Sequence, residues 1–125
     1  MVLKVSDVPP SLNKVLRMHW AKRKGLLDAW MWMVLVAYGH LPIVCDGKRR
    51  VKITLHHARL YDKDNAYGAC KVIFDALKAQ GFIVDDAAQW LEAEVVQKKC
   101  PHKKRHTVLE IEPVCKEVAS ALSQD

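Results

Sequence analysis

The sequence predicts an α+β fold: a four-stranded mixed sheet with two helices packed on it, in the order β-α-β-α-β-β. Three observations predict it. The stretches "VKITLHH" (51–57), "WLEAEVVQ" (90–97) and "HTVLEIEP" (106–113) alternate apolar and polar residues, the pattern of half-buried strands. Cys70, Ile73, Phe74 and Leu77 fall at i, i+3, i+4 and i+7, which makes one apolar stripe of a helix. Residues 29–38, "AWMWMVLVAY", are apolar on nearly every side, so a helix there needs cover on more than one face.

Taken in order, "VLKVSDV" alternates weakly and stops at Pro9-Pro10, a short first strand closed by a rigid turn. Residues 11–24 carry Lys14, Arg17, Lys22, Arg23 and Lys24, with His19 and Trp20 among them. The first helix occupies residues 25–39. Its Trp30 and Trp32 point about 200° apart, so both cannot face one sheet, and a partner subunit in a homodimer is expected to cover one of them. After the turn "CDGKRR" the second strand directs Val51, Ile53 and Leu55 to the core. The second helix runs from about Asn65 to Gln80, where Gly81 supplies a left-handed stop. Residues 90–97 and 106–113 are expected as antiparallel strands joined by the basic loop "KKCPHKKRH". Residues 1–114 form one domain, and 115–125 read as a short frayed tail.

Composition narrows the function. The chain has 125 residues and a net charge of +6, with 20 Lys and Arg against 14 Asp and Glu. That balance favours a polyanionic partner, nucleic acid or an acidic surface. Half the residues are apolar, which excludes a disordered chain. The apolar run is ten residues long and flanked by Asp28 and His40, short of the roughly 20 a membrane span needs. The first residues lack an apolar signal-peptide core. Cys45, Cys70, Cys100 and Cys115 lie far apart and read as reduced thiols of a cytoplasmic protein.

Against that basic background the stretch from Asp62 to Asp86, "DKDNAYGACKVIFDALKAQGFIVDD", gathers acids around one helix. Asp64, Gly68, Lys71, Asp75 and Lys78 share a helix face opposite the Ile73-Phe74-Leu77 stripe. Asp62 lies at the helix start, and Asp85 and Asp86 follow its end. Carboxylates are hard ligands for Mg²⁺, and two or three with a phosphate oxygen make a phosphoryl-transfer site. Lys71 could neutralise charge developing on the phosphate. The same residues also suit plainer roles: Asp62 or Asp64 as a cap, Asp75 as an ion-pair partner of Lys71 and Lys78, and Asp85-Asp86 as a polar turn.

This stretch resembles the RusA family of Holliday junction resolvases. The family pattern D-x-D-N is matched by Asp62, Asp64 and Asn65. Lys71 stands four residues before Asp75-Ala76-Leu77, and Gly81, Phe82, Asp85 and Asp86 match the family's G-[FV]-x-x-D-D. Pro9 to Asn13, "PPSLN", is similar to the family's P-P-S-x-N. The resemblance implies a bacterial or phage-encoded endodeoxyribonuclease that nicks four-way DNA junctions in recombination and repair. It implies Mg²⁺, with Mn²⁺ as a substitute, held by Asp62, Asp64 and Asp86, and a lysine needed for cleavage at Lys71. Asn65, Asp75 and Asp85 are supporting positions, no nucleotide cofactor is implied, and a homodimer supplies two symmetric nicks. The chain departs from the family's best-known member by three extra residues between Asn65 and Lys71, nearly one helical turn. On one continuous helix Asp64 and Lys71 would still point within about 20° of each other.

The other signals are basic. Lys14, Arg17, Lys22, Arg23 and Lys24, then Lys48-Arg49-Arg50, then Lys98-Lys99 with Lys103, Lys104 and Arg105, suit a surface that tracks DNA phosphates. Trp20 and His19 suit stacking on an opened junction, and Trp20 equally suits the core. His57 and Arg59 lie close enough before Asp62 to reach a phosphate. Cys100, His102, His106 and Cys115 have the residue types of a zinc site with the spacing of no standard finger. Two alternatives stand beside the resolvase: a less selective flap or branched-DNA nuclease, and a basic DNA-binding module whose carboxylates are only caps and ion pairs.

Overall fold

The computed structural model describes residues 1–39 and 47–114. The elements run β1 (Val2–Val5), α1 (Leu12–Leu16), α2 (Trp20–Tyr38), β2 (Arg49–His57), α3 (Lys63–Ala69), α4 (Lys71–Ala79), β3 (Leu91–Lys99) and β4 (His106–Pro113). One 3-10 turn, His102–Lys104, precedes β4. The α+β class and the four-stranded mixed sheet are those expected. Cys45, Cys115 and the expected tail lie outside the described residues.

The expected β-α-β-α-β-β order is corrected in its helical part, for two local reasons. Residues 11–24 form a helix of their own and the first turn of the next. Ser11 caps α1 by accepting the Lys14 N–H at 3.3 Å, and His19 starts α2 by accepting the Ala21 N–H on Nδ1 at 3.2 Å. The helix expected over 65–80 is divided at Cys70. There the Cys70 N–H reaches Tyr67 O at 3.1 Å and the Ile73 N–H reaches Cys70 O at 2.9 Å, a tightened 3-10-type joint. Gly68, beside this joint, is where α1 seats: a Cβ on it would stand only 2.6–2.9 Å from Leu12 side-chain atoms. The stop at Gly81 is as expected, with φ at 85° and the Phe82 N–H returning to Leu77 O at 2.9 Å.

The strand order is β1-β4-β2-β3, with β2 parallel to β3 and the other contacts antiparallel. β3 and β4 run in opposite directions, as expected, but β2 lies between them. The reason is the crossover: α3 and α4 carry the chain back along the sheet, so β3 adds parallel to β2 on one side. β4 then takes the other side of β2. The C-terminal ends of the parallel pair, with the loops that follow them, therefore lie together at one end of the sheet.

Alternation decides the core. Val51, Ile53 and Leu55 of β2 are fully buried, with Leu3, Val5, Leu109 and Ile111 beside them on the same face. The α4 stripe of Cys70, Ile73, Phe74 and Leu77 packs into the same cluster. Burying each large aliphatic or aromatic side chain here stabilises the fold by about 1.5–3 kcal/mol. The two tryptophans of α2 part as their directions require. Trp30 is 1% exposed in the core and Trp32 is 66% exposed, with Val36 one turn on exposed too. Gln80 ties α4 to α2 by donating to Met31 O at 2.8 Å. Among the described residues no helix is long and apolar enough to cross a membrane.

Candidate active site and nucleic-acid interface

The acids of the 62–86 stretch fall into two groups. Asp62 is the N-cap residue of α3, yet its side chain makes no capping hydrogen bond; only its carbonyl takes part, accepting the Ala66 N–H at 2.8 Å. Asp64 follows in the first turn. Both are exposed, and neither carboxylate has a hydrogen bond or ion pair among the described residues. The helix N-terminus favours negative charge there by about 0.3–1 kcal/mol, so the pair is tolerated without a cationic partner. Asn65 is half-buried beside them and also bonds to nothing through its side chain among the described residues.

The other three acids are spoken for. The Lys71 ammonium sits 3.1 Å from Asp75 Oδ1 and 3.3 Å from Asp86 Oδ2. The Lys78 ammonium sits 3.0 Å from Asp85 Oδ1, which also accepts the Asp86 N–H at 2.8 Å. Asp75 therefore pairs with Lys71 and not with Lys78. The hydrogen bond to Asp75, helped by Asp86, raises the Lys71 pKa above its ordinary value, so this lysine is a fixed cation and not a base. The hydrogen bond to Asp85 likewise raises Lys78, and Lys78 lowers Asp85. On one helix Lys71 would stand about 10 Å along the axis from Asp64; the joint at Cys70 now lies between them. The Cys70 thiol itself is pushed up to about 12 by burial and is chemically quiet.

Asp62, Asp64 and Asp86 thus do not converge. Among the described residues no three His, Cys, Asp or Glu side chains come together as a metal cage. The donor chemistry at Asp62 and Asp64 fits a narrower requirement. Mg²⁺ keeps several waters and is commonly held by one or two carboxylates together with a substrate phosphate. Two unpaired carboxylates at an exposed helix start meet that requirement without a third.

Beside them lies a cationic cleft of about 690 Å³. The loop after β2 and the turn after β3 form it with the β1–α1 connection and α1. Lys14, Lys22, Arg59, His102 and Arg105 line it, and so does Tyr61, one residue before Asp62. Its floor is held by Gln97, whose Oε1 accepts the Tyr61 N–H and whose Nε2 donates to Tyr61 O, both at 2.8 Å. Tyr61 in turn donates its hydroxyl to Pro9 O at 2.9 Å, and burial raises its pKa. Pro10 and Ser11 of the "PPSLN" stretch therefore line the cleft and Pro9 anchors Tyr61, so the stretch is more than a turn.

The remaining expected contacts sort by position. Lys14, Lys22 and Arg105 share the cleft, although Arg105 also pairs with Asp7 at 3.4 Å. Lys103, Lys104 and Arg105 line a second basic hollow with Lys4. Arg23 and Lys24 lie along a separate, mainly apolar groove near Lys71 and Asp75, and Arg17 is exposed at the end of α1. Lys48-Arg49-Arg50 belong elsewhere: they stand at the far end of β2, and Arg50 is engaged by Glu92 at 3.4 Å and Glu112 at 3.6 Å. Trp20 is no core residue; it is 71% exposed and tilted against His19. The zinc set has no counterpart among the described residues. His102 lies 3.3 Å from Arg105, His106 lies 2.9 Å from Lys104 O and stacks on His56, and Cys115 is outside them.

Sequence reasoning missed Gln97. Its signal was a break in alternation, since the inward positions of β3 read Leu91, Ala93, Val95 and then Gln97. A polar residue in a core-facing slot asks what it bonds to. Comparison with known proteins finds no family model that matches the chain and no curated protein that matches it.

Proposed function

We propose that this chain is a Mg²⁺-dependent endodeoxyribonuclease of the RusA kind, a homodimer that nicks branched DNA and four-way junctions above all. One observation carries this reading: two carboxylates without partners, Asp62 and Asp64, stand immediately after a cationic cleft. Acids left unpaired beside gathered cations are the arrangement a phosphate-borne metal requires, because the cleft brings the phosphate and the acids bring the hard oxygens. Asp62 and Asp64 would hold Mg²⁺, which supplies Lewis-acid polarisation of a phosphodiester and a water of lowered pKa. Lys14, Lys22, Arg59 and Arg105 hold the DNA backbone and fix its register. Lys71, permanently charged, stabilises negative charge on the phosphate, and Asp86 and Asp75 orient its ammonium. Trp32 and Val36 form the face offered to a second copy.

A second reading has its own support. Asp75, Asp85 and Asp86 are ion-paired and no three-acid group forms among the described residues, which favours a basic DNA-binding module without catalysis. A synthetic four-way junction and its linear duplex arms, each incubated with Mg²⁺ and with EDTA, separate the two. Nicking of the junction alone, in Mg²⁺ alone, is expected. Binding that ignores Mg²⁺ and cuts no branched DNA selects the binding module. Light scattering at micromolar concentration should give a dimer, and a monomer would remove the paired-nick part of the proposal.

A further inference from the structure

The buried polar group at the floor of the cleft is His57, 6% exposed and in edge contact with the Tyr61 ring. Its tautomer follows from the bonds around it. Gln97 is locked by the Tyr61 backbone, since reversing its amide would set donor against donor and acceptor against acceptor. Gln97 Oε1 can only accept, so the 3.0 Å contact with His57 Nε2 has the imidazole donating. Nε2 therefore carries a proton, and in the neutral ring Nδ1 is left as an acceptor. Nδ1 makes no hydrogen bond among the described residues, although the ring lines the cleft. Among the described residues Gln80 Oε1 is the one buried polar side-chain atom without a partner, so His57 Nδ1 is open to the cleft and can take its hydrogen bond from water or from a ligand donor.

Phosphate alone does not satisfy this site. Its rim, with Lys14, Lys22 and Arg59, wants an anion. Its floor offers His57 Nδ1 to an N–H or O–H donor, and its walls of Val8, Pro10 and Met18 suit apolar surface. We infer that the cleft receives one unpaired nucleotide of the DNA, with the backbone phosphates on the rim and the base inside, donating to His57 Nδ1. A volume of about 690 Å³ lies within the roughly 300–1,000 Å³ of small-ligand sites. The Tyr61 ring, fixed by its hydroxyl at Pro9 and its backbone at Gln97, offers a preformed surface for stacking. This deepens the branched-DNA reading and rests on it. Such DNA offers at its branch point the frayed bases that cost least to take out of the stack.

The test needs no cleavage and is run in EDTA. A five-residue thymidine oligonucleotide is compared with the same strand carrying a central abasic residue, which keeps the phosphates and loses the N3–H donor and the ring. Wild-type protein should bind the intact strand roughly tenfold tighter. His57→Phe keeps the aromatic packing and removes the acceptor, so the preference should shrink to about threefold or less. Arg59→Ala should weaken both strands equally, with a shallower salt dependence. On the wild-type chain itself, the ¹⁵N resonance of His57 Nδ1 should shift with the intact strand and stay in place with the abasic one. Equal affinity for the two strands, or an Nδ1 resonance indifferent to the base, overturns the nucleotide pocket. Absence of junction nicking would sink the nuclease reading and leave this binding result standing.

Discussion

The start of α3 and the end of α4 carry the same chemistry in opposite states. At the start, Asp62 and Asp64 stand beside gathered cations and pair with none of them. At the end, Asp75, Asp85 and Asp86 are held within 3.0–3.3 Å of lysine ammoniums. Exposed ion pairs of the second kind form wherever long side chains permit and are worth about 0–1 kcal/mol. Unpaired carboxylates next to a cationic cleft are a different arrangement. They keep their oxygens available, and folding has not used them. In the proposed function the first region takes the metal role and the second a positioning role.

The sharpest way to break the comparison is to remove one charge from each region. Asp64→Asn keeps the side-chain size and should leave the fold within about 1 kcal/mol, since only a helix-terminus charge is lost. It should lower single-turnover nicking of a four-way junction by roughly 10²–10³-fold, the scale of losing an essential electrostatic stabiliser. Junction binding in gel shift should hold or strengthen slightly, because one repulsion toward phosphate is gone. Nicking at the wild-type rate would make Asp64 an ordinary first-turn acid.

Lys71→Ala probes the cation that Asp75 and Asp86 hold in the second region. About 2–4 kcal/mol of transition-state stabilisation should go, seen as a lower single-turnover rate with unchanged junction affinity. Because its partners raise the Lys71 pKa, the rate should show no titration of this group across the neutral range. The charge it contributes is present below its ordinary 10.5 and is lost only as pH climbs past the raised value. A pH–rate profile checks this.

A smaller effect should come from Gly68→Ala, which tests whether α1 and its Lys14 are seated by the helix that carries Asp64. The new methyl meets Leu12 at 2.6–2.9 Å, and crowding of that kind costs about 1–3 kcal/mol. Urea unfolding should report it, with junction affinity falling as Lys14 shifts. Smallest of all, Lys78→Ala should leave the cleavage step alone. It should weaken binding modestly with a shallower salt dependence, since Lys78 is paired to an exposed acid away from the cleft.

How much of this was legible in the sequence differs between the same two regions. Period-two alternation located β2, β3 and β4 to within two residues, and the i, i+3, i+4, i+7 stripe located the buried face of α4. Local periodicity does not reveal pairing: the neighbours of β2 were decided by the crossover through α3 and α4. The joint at Cys70 was hidden because the apolar stripe runs through it unbroken, and the close approach of Leu12 to Gly68 beside it joins residues 56 positions apart. At the site, the types and spacing of Asp62, Asp64, Lys71 and Asp86 were readable. Which acids would be paired was not, since Asp75 had two lysines within reach and the fold chose one. Gln97 and the tautomer of His57 needed three-dimensional bonds.

In the proposed function metal goes to the unpaired acids and not to the paired ones. Paramagnetic broadening of backbone amides by substoichiometric Mn²⁺, without DNA, locates it directly. Amides of residues 62–66 should lose intensity first, while those of 84–87 persist, and Asp64→Asn should abolish the effect. Broadening that begins at Asp85 and Asp86 and spares the start of α3 would contradict it.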